Sequence, residues 1–345
     1  MSAATLAQLD QFDDIIDVRT PSEFLDDHVP GAINRPVLSD EERVRVGTMY
    51  KQESSFAAKK TGAALVARNI ADHLEVHFSD KPKDWHPLVY CWRGGNRSGS
   101  LVHILAKIGW KAEQLDGGYK AYRRAVLEQL ETLPANFRYR VICGPTGSAK
   151  SGLLQALEQQ GAQVLDLEGL AVHRGSILGS VPDQAQPSQK LFESQLWHRL
   201  RRFNPERPVF VEAESKKIGN VRAPDTLLAA MWQSECVRID ASPAARLAYL
   251  KQEYRHFLEQ PELLIGKFDF LVGLHGHERI ARWKALALAH DWDTLVPELL
   301  AQHYDPAYSR STHKHYPRLE HGIRLSVDDL AAEMLDEMAR RILAP

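Results

Sequence analysis

The stretch Tyr139-Arg140-Val141-Ile142-Cys143-Gly144-Pro145-Thr146-Gly147-Ser148-Ala149-Lys150-Ser151 limits this chain to few folds. Its first five residues read as a buried strand, and the apolar period of Leu153 to Leu157 reads as a helix. A strand, a glycine-rich turn and a helix in that order place backbone N–H groups at the positive end of the helix. That context identifies a phosphate-binding P-loop and predicts a parallel α/β sheet. Gly144, Thr146, Gly147 and Ser148 would cradle a diphosphate, Lys150 would neutralise its outer oxygens, and Ser151 would hold Mg²⁺. Ala149 stands where the motif has its last glycine. Its methyl is expected to hinder close backbone approach, against nucleotide hydrolysis more than against phosphate binding. Arg207 to Glu212 reads as another buried strand, ending at the carboxylate Glu212 where a second Mg²⁺ or water ligand belongs, with Glu214 beside it. A strand-end carboxylate facing solvent is the other reading of Glu212.

The same order recurs earlier. Pro87 to Tyr90 reads as a strand, Leu101 to Ile108 as a helix, and Cys91-Trp92-Arg93-Gly94-Gly95-Asn96-Arg97-Ser98 lies between them. Cys91 sits at the bottom of a cup of N–H groups, at the end of the strand where open sheets place their ligands. The helix N-terminus, Arg93 and Arg97 are expected to favour its thiolate. A nucleophilic sulfur in an anion-binding nest suits attack on, or transfer from, a tetrahedral oxyanion. A buried cysteine beside a chance pair of glycines is the plainer reading.

From Cys91 to Arg97 the spacing is C-x5-R, which cysteine-class phosphatases use to hold phosphate; sulfur-transferring rhodaneses usually close the loop one residue sooner. The flanks decide between them. Ile15-Ile16-Asp17-Val18-Arg19-Thr20-Pro21-Ser22-Glu23-Phe24, then His28-Val29-Pro30-Gly31-Ala32-Ile33-Asn34, resembles the N-terminal signature of a rhodanese domain. Leu115-Asp116-Gly117-Gly118-Tyr119-Lys120-Ala121-Tyr122 resembles its C-terminal one. A loop enlarged by one residue should admit a phosphate-sized group.

A chain of 345 residues favours two domains. Leu133-Pro134-Ala135-Asn136 is a breaker, so residues 1–133 are read as a rhodanese-like open parallel sheet with helices on both faces. Residues 137–345 are read as a parallel α/β P-loop domain with a largely helical part from Ala244 onward. A helical insertion at about 39–80 carries Arg43, Arg45, Lys51, Lys59 and Lys60, which make either a solvated face or a rim for a polyanion. Gln163 to Glu168 and Cys236 to Asp240 read as further strands, and Phe192 to Phe203 as an amphipathic helix.

The chain has 44% hydrophobic and 26% charged residues and no run of membrane-spanning length. Three cysteines without metal-type spacing fit a reducing, cytoplasmic setting, with Cys143 and Cys236 as core. A net charge of −2 excludes a global basic field, so any nucleic-acid site must be a local patch. Two loops, His173-Arg174-Gly175-Ser176-Ile177-Leu178-Gly179 and Lys216-Lys217-Ile218-Gly219-Asn220-Val221-Arg222, should open on the P-loop side. The tail from His303 through Tyr308, Arg310, His313 and Lys314 to Tyr316 interleaves rings with bases. It makes either a base-stacking surface or a buried aromatic corner.

A rhodanese-type domain followed by this P-loop domain, with Val46-Gly47-x-x-Tyr50-Lys51, His173-Arg174-Gly175-Ser176, Glu214-Ser215-Lys216-Lys217-Ile218-Gly219 and His303-Tyr304-Asp305-Pro306, resembles the tRNA 2-selenouridine synthase family over essentially its whole length. The resemblance implies replacement of sulfur by selenium in wobble-position 2-thiouridine of tRNA. It implies selenophosphate as donor and an S-geranyl intermediate made with geranyl diphosphate. The family's essential cysteine corresponds to Cys91. Gly144-Pro145-Thr146-x-Ser148-x-Lys150-Ser151 is also similar to the P-loop of tRNA dimethylallyltransferases, which bind a prenyl diphosphate there. For the implied tRNA, the candidate contacts are Lys216, Lys217, Arg222, Tyr308, Arg310, Lys314 and Tyr316. Three other functions fit parts of the text: a rhodanese-type sulfurtransferase with a nucleotide-binding appendage, a cysteine phosphatase fused to a kinase-like domain, and a tRNA adaptor with an inactive P-loop.

Overall fold

In the computed structural model, residues 3–176 and 178–344 are described, apart from the side chain of His313. Ile177, expected in the second-domain loop, and that histidine side chain lie outside the described residues.

The chain forms two compact units. The first contains the residues up to Gln129 together with Pro187–His198. Its five strands are β1 (Ala3–Ala4), β2 (Asp14–Asp17), β3 (Ile33–Asn34), β4 (Pro87–Tyr90) and β5 (Glu113–Leu115), in the order β1-β5-β4-β2-β3 and all parallel. Every residue of β4 is buried, as its apolar text requires of a central parallel strand. The helices start where the sequence supplies caps. Thr20 with Glu23 boxes the start of helix Pro21–Asp26, and Ser39 with Glu42 that of helix Asp40–Gln52. The second insertion helix is Ser55–His77. Val18, Val89, Leu101, Leu105 and Trp85 share one core cluster. At the end of β2, Arg19 is fully enclosed. It is paired with Asp17 at 2.6 Å, bonded to the Asp27 carbonyl and covered by the Tyr119 ring at 3.9 Å. A buried cation persists only with such satisfaction on every side.

The segment Pro187–His198, which lies within the stretch assigned by sequence to the P-loop domain, belongs to the first unit. Trp197 stacks edge-on against Tyr122 at 5.6 Å and donates to Gln129, and Glu193 pairs with Arg123. The helix that carries these residues runs Gln189–Leu200, three residues earlier than expected at each end.

The second unit contains Leu130–Gln186 and the chain from Arg199 onward. Its main strands are β6 (Tyr139–Cys143), β7 (Gln163–Leu165), β8 (Val209–Glu212), β11 (Glu235–Ala241) and β12 (Ile323–Val327); β9 (Lys217–Ile218) and β10 (Val221–Arg222) form a separate antiparallel pair. The main sheet is parallel in the order β12-β11-β6-β8-β7. β7 is shorter than the strand expected over 163–168, because Asp166 accepts from the Gly169 N–H at 2.7 Å and caps the helix Leu167–Ala171. β12 interrupts the expected helical C-terminal part. Ile142, Leu153, Phe210, Ile239 and Met338 pack one core beside the sheet. Phe268, Trp283, Trp292, Leu295 and Leu299 pack another among the helices after Pro243. No helix among the described residues is long and apolar enough to cross a membrane.

Candidate active sites: two anion cradles

In the first unit, Cys91 follows directly on β4 and the helix Asn96–Ile108 begins five residues later. The turn between them is gripped from behind. The Tyr119 N–H donates to the Cys91 carbonyl and the Lys120 N–H to the Trp92 carbonyl, both at 2.9 Å. Gly118, at φ +57°, permits that approach; a Cβ there would lie 2.4 Å from the Cys91 oxygen and from the Gly94 nitrogen. The Cys91 sulfur accepts from Ser98 Oγ at 3.1 Å, and Gln114 Nε2 donates to that hydroxyl at 2.7 Å. Burial alone would push the Cys91 thiol up. Hydrogen bonds from the Ser98 hydroxyl and from the backbone of Ser98, Gly95 and Arg93 outweigh it, and the thiol lies below its ordinary range.

The source of that stabilisation corrects the sequence expectation in part. Arg97 turns its guanidinium to Glu23 at 2.8 Å, and Arg93 is exposed. The largest contributions to the thiolate come from oriented N–H groups at the helix start, as expected, and from one hydroxyl, while the Arg97 charge is taken up by Glu23. A cavity of about 940 Å³ adjoins the loop, walled by Gly94 to Arg97 on one side and by Val46, Gly62 and Val66 of the insertion helices on the other.

In the second unit, the P-loop joins β6 to the helix Lys150–Gln159. Lys150 Nζ folds back on the Gly144 carbonyl at 3.0 Å, where an incoming phosphate oxygen would compete for it. Gly147 has φ +84°, and a Cβ on it would meet Leu250 at 2.8 Å. Ala149 holds φ +57° without being glycine, and its methyl is packed in the sheet-side core cluster. A left-handed alanine costs about 1–2 kcal/mol. Arg246, nearly buried, donates to the Thr146 carbonyl at 2.9 Å and is held in a bidentate pair by Asp305 at 2.6 and 3.1 Å.

The carboxylate that reaches Ser151 is Glu168, at 2.9 Å, in place of the expected Glu212. Glu212 is fully buried behind it and accepts from the Glu168 N–H at 2.8 Å. Among the described residues, its other oxygen has no partner. Burial, together with the charges of Asp166 and Glu168, pushes its carboxyl well up. Glu214 is likewise pushed up to about 8, by burial and by the charge of Glu168. A cavity of about 460 Å³ opens over the P-loop and is lined by Thr146 to Ser151, Asp166, Glu168, His173 and Arg174. Arg174 lies over the Tyr254 ring at 4.9 Å and donates to the Glu253 carbonyl.

Sequence reasoning nominated the P-loop residues that line this cavity. It placed Arg174 on a loop opening on the P-loop side, where the residue does line the cavity, but it missed Glu168, Arg246 and Asp305 as parts of the site. The Asp305 signal lay in the His303-Tyr304-Asp305-Pro306 text, read there for its aromatic and basic content. Of the nominated basic residues, Lys216 is paired with Asp225 at 2.6 Å, Lys217 and Arg222 are exposed on β9 and β10, and Arg310 and Lys314 are exposed on helix Asp305–His315. Tyr308 is half-buried and Tyr316 is 5% exposed, so Tyr316 belongs to a buried aromatic corner and not to a stacking face.

Among the described residues, no cluster of three or more His, Cys, Asp or Glu side chains is arranged to hold a metal ion. Ser151 and Glu168 nevertheless fit a magnesium ion that takes its other ligands from substrate phosphate and water.

Comparison with known proteins follows the same division. The tRNA 2-selenouridine synthase AAA domain family matches residues 137–263, and the rhodanese-like domain family matches residues 2–125. A tRNA 2-selenouridine synthase from Nitrosomonas europaea is 38% identical over 247 residues, which cover 70% of this chain and 63% of that protein. One from Aeromonas salmonicida is 33% identical over 326 residues, covering 85% of this chain and 86% of its own. Among solved structures, a rhodanese-related protein from Thermoplasma volcanium aligns with 36% of this chain and 93% of its own, at 17% identity and a TM-score of 0.24.

Proposed function

Because the chain belongs to the tRNA 2-selenouridine synthase family, we propose that it exchanges sulfur for selenium in wobble 2-thiouridine of tRNA by two transfers, one at each anion cradle. The observation that carries this reading is the presence of two separate cradles, one built on a thiol and one on a P-loop lysine. A single exchange without an activated leaving group would need only one.

At the P-loop, geranyl diphosphate is held by the loop N–H groups and Lys150. The thiocarbonyl sulfur attacks the first carbon of the geranyl group. The carbon–oxygen bond breaks, and diphosphate departs with the electron pair. Lys150 and the helix N-terminus receive the charge that develops on it. Mg²⁺, held by Ser151 and Glu168, would supply further neutralisation of that leaving group.

At Cys91 the donor is selenophosphate. The thiolate attacks phosphorus, the phosphorus–selenium bond breaks, and hydroselenide leaves with its electrons; water later frees the phosphate from sulfur. Hydroselenide adds to the ring carbon that carries the S-geranyl group and expels geranylthiolate. Selenium enters and sulfur leaves at the same oxidation level, so no reductant is required. The backbone N–H groups around Cys91 bind the phosphoryl oxygens and favour the thiolate that attacks.

The test is mass spectrometry of nucleosides from 2-thiouridine tRNA incubated with the protein, geranyl diphosphate and selenophosphate. Wild type should yield 2-selenouridine. Cys91→Ser should stop at S-geranyl-2-thiouridine, and Lys150→Ala should leave 2-thiouridine largely unchanged. Sulfur transfer from thiosulfate to cyanide with no selenium product would favour a plain sulfurtransferase and overturn the reading.

A further inference from the structure

We propose that a second, apolar cavity beside the P-loop binds the isoprenyl chain of the diphosphate substrate; this rests on the geranyl diphosphate reading above and gives that ligand's tail a site. The cavity has a volume of about 60 Å³, a narrow apolar slot, and lies wholly in the second unit. Leu178, Leu258, Leu264, Leu295, Val296 and Leu299 form much of its wall, and no charged side chain lines it among the described residues.

Its position relative to the phosphate cradle is the main support. Thr146, Leu250 and Tyr254 line both this cavity and the polar one over the P-loop. A ligand whose charged end is held by the loop therefore passes over Leu250 directly into hydrocarbon. Arg174, stacked on Tyr254, stands on the polar side of that border.

The wall chemistry discriminates between ligands. A nucleoside would bring ribose hydroxyls and a base edge into this space, and each buried polar group without a partner is costly. Tyr254 and Tyr304, whose hydroxyls interact with Ser176, both line the cavity. A branched hydrocarbon chain leaves no polar group stranded there.

The backbone is shaped for the cavity as well. Helix Trp292–Leu299 contains Pro297 and runs on into a π-helical turn, Leu300–Tyr304, before helix Asp305–His315 begins. Single π turns recur at functional sites because they re-aim side chains within a continuous helix. Here the turn places both Leu300 and Tyr304 in the wall, while Asp305, next in the chain, secures the P-loop through Arg246.

The experiment is calorimetric titration of the full chain with geranyl diphosphate, farnesyl diphosphate and inorganic diphosphate. Geranyl diphosphate should bind at least about tenfold more tightly than inorganic diphosphate, since its tail leaves water. Val296 and Leu258 are half-buried wall residues. Val296→Trp and Leu258→Trp should fill the cavity and remove most of that advantage, leaving inorganic diphosphate affinity unchanged. If both variants keep the full advantage, the tail lies elsewhere and this inference falls, while the geranyl reading stands. If geranyl diphosphate has no advantage in wild type and tRNA is not geranylated, that reading fails and takes the inference with it. If the tryptophans abolish binding of every ligand, Leu258→Ala decides. It should shift preference toward farnesyl diphosphate, and an unchanged chain-length preference would overturn the assignment.

Discussion

Ser98 Oγ stands 3.1 Å from the Cys91 sulfur, and Gln114 donates to that same oxygen from 2.7 Å. The glutamine occupies the acceptor side of the hydroxyl, whose hydrogen has the Cys91 sulfur at 3.1 Å and the Gly95 carbonyl at 3.3 Å as acceptors. A hydrogen bond to a charged group is worth roughly 1.5–3 kcal/mol. Ser98→Ala should therefore raise the Cys91 thiol by about one pKa unit or more. The iodoacetamide rate of Cys91 against pH measures this, with Cys143 and Cys236 as internal comparisons. A profile unmoved by Ser98→Ala would mean that the backbone N–H groups alone hold the thiolate.

Asp305 reaches the P-loop through Arg246, without touching the phosphate cavity itself. Asp305→Asn should leave Arg246 without its counter-charge and loosen the hold on the Thr146 carbonyl. Breaking a partly enclosed pair in this way is expected to lower stability by about 1–3 kcal/mol. Affinity for inorganic diphosphate should fall roughly five- to thirtyfold, in line with about 1–2 kcal/mol lost from loop organisation. Thermal unfolding and diphosphate titration of the same variant test both effects. Lower stability with unchanged affinity would confine Asp305 to a structural part.

Glu214 has a folded-state pKa of about 8, raised by burial and by Glu168. An unfolded glutamate releases its proton near its ordinary value, so between that value and about 8 the folded state binds more protons. Stability from this group is full below the ordinary carboxylate range and is lost as pH rises toward 8. Glu212, also pushed up, acts in the same direction. The unfolding midpoint should fall from about pH 5 to pH 8. Glu214→Gln should make the fall shallower; an equally steep profile would show that Glu214 does not carry the proton.

Lys216 and Lys217 are adjacent but unequal. Asp225 already neutralises Lys216, whereas Lys217 lies exposed on the neighbouring strand. If this hairpin meets tRNA, Lys217→Ala should reduce the salt slope of log K by about 0.7–0.9, and Lys216→Ala should reduce it less. Tyr316→Ala should chiefly destabilise the fold, by about 3 kcal/mol or more as for other buried aromatics. Equal slopes for Lys217→Ala and wild type across a salt series would remove the hairpin from the tRNA path.

Both cradles were legible in the sequence because each is written in consecutive residues. A strand, its glycines and the helix start are set by local backbone demands, as at Gly147 and Gly94. What was not legible depends on partners far along the chain. Arg97 lies close to Cys91 in sequence, but Glu23, on another helix, takes its charge. Glu212 was expected beside Ser151, but an Asp166 cap turned β7 into a helix early and carried Glu168 there first. β12 alternates buried and exposed residues at a sheet edge, so its five residues lack the apolar run that marks β4, β6 or β8. The tail's rings and bases had a composition consistent with two environments, and only packing placed Tyr316 inside.

The membership of Pro187–His198 in the first unit bears on how the protein is made. The ribosome delivers Asp27, Tyr122 and Arg123 long before it delivers Ser194, Trp197 and Glu193, and the first unit encloses both sets. Until the later residues emerge, Tyr122 and Asp27 lack their covering helix. Closing that gap spans all of Leu130–Gln186, although loop closure grows more costly only slowly with length. The amino-terminal half therefore cannot finish folding during its own synthesis, and its last step waits for a helix encoded well past the P-loop. A gene cut at the breaker near residue 134 would strand that helix on the wrong fragment.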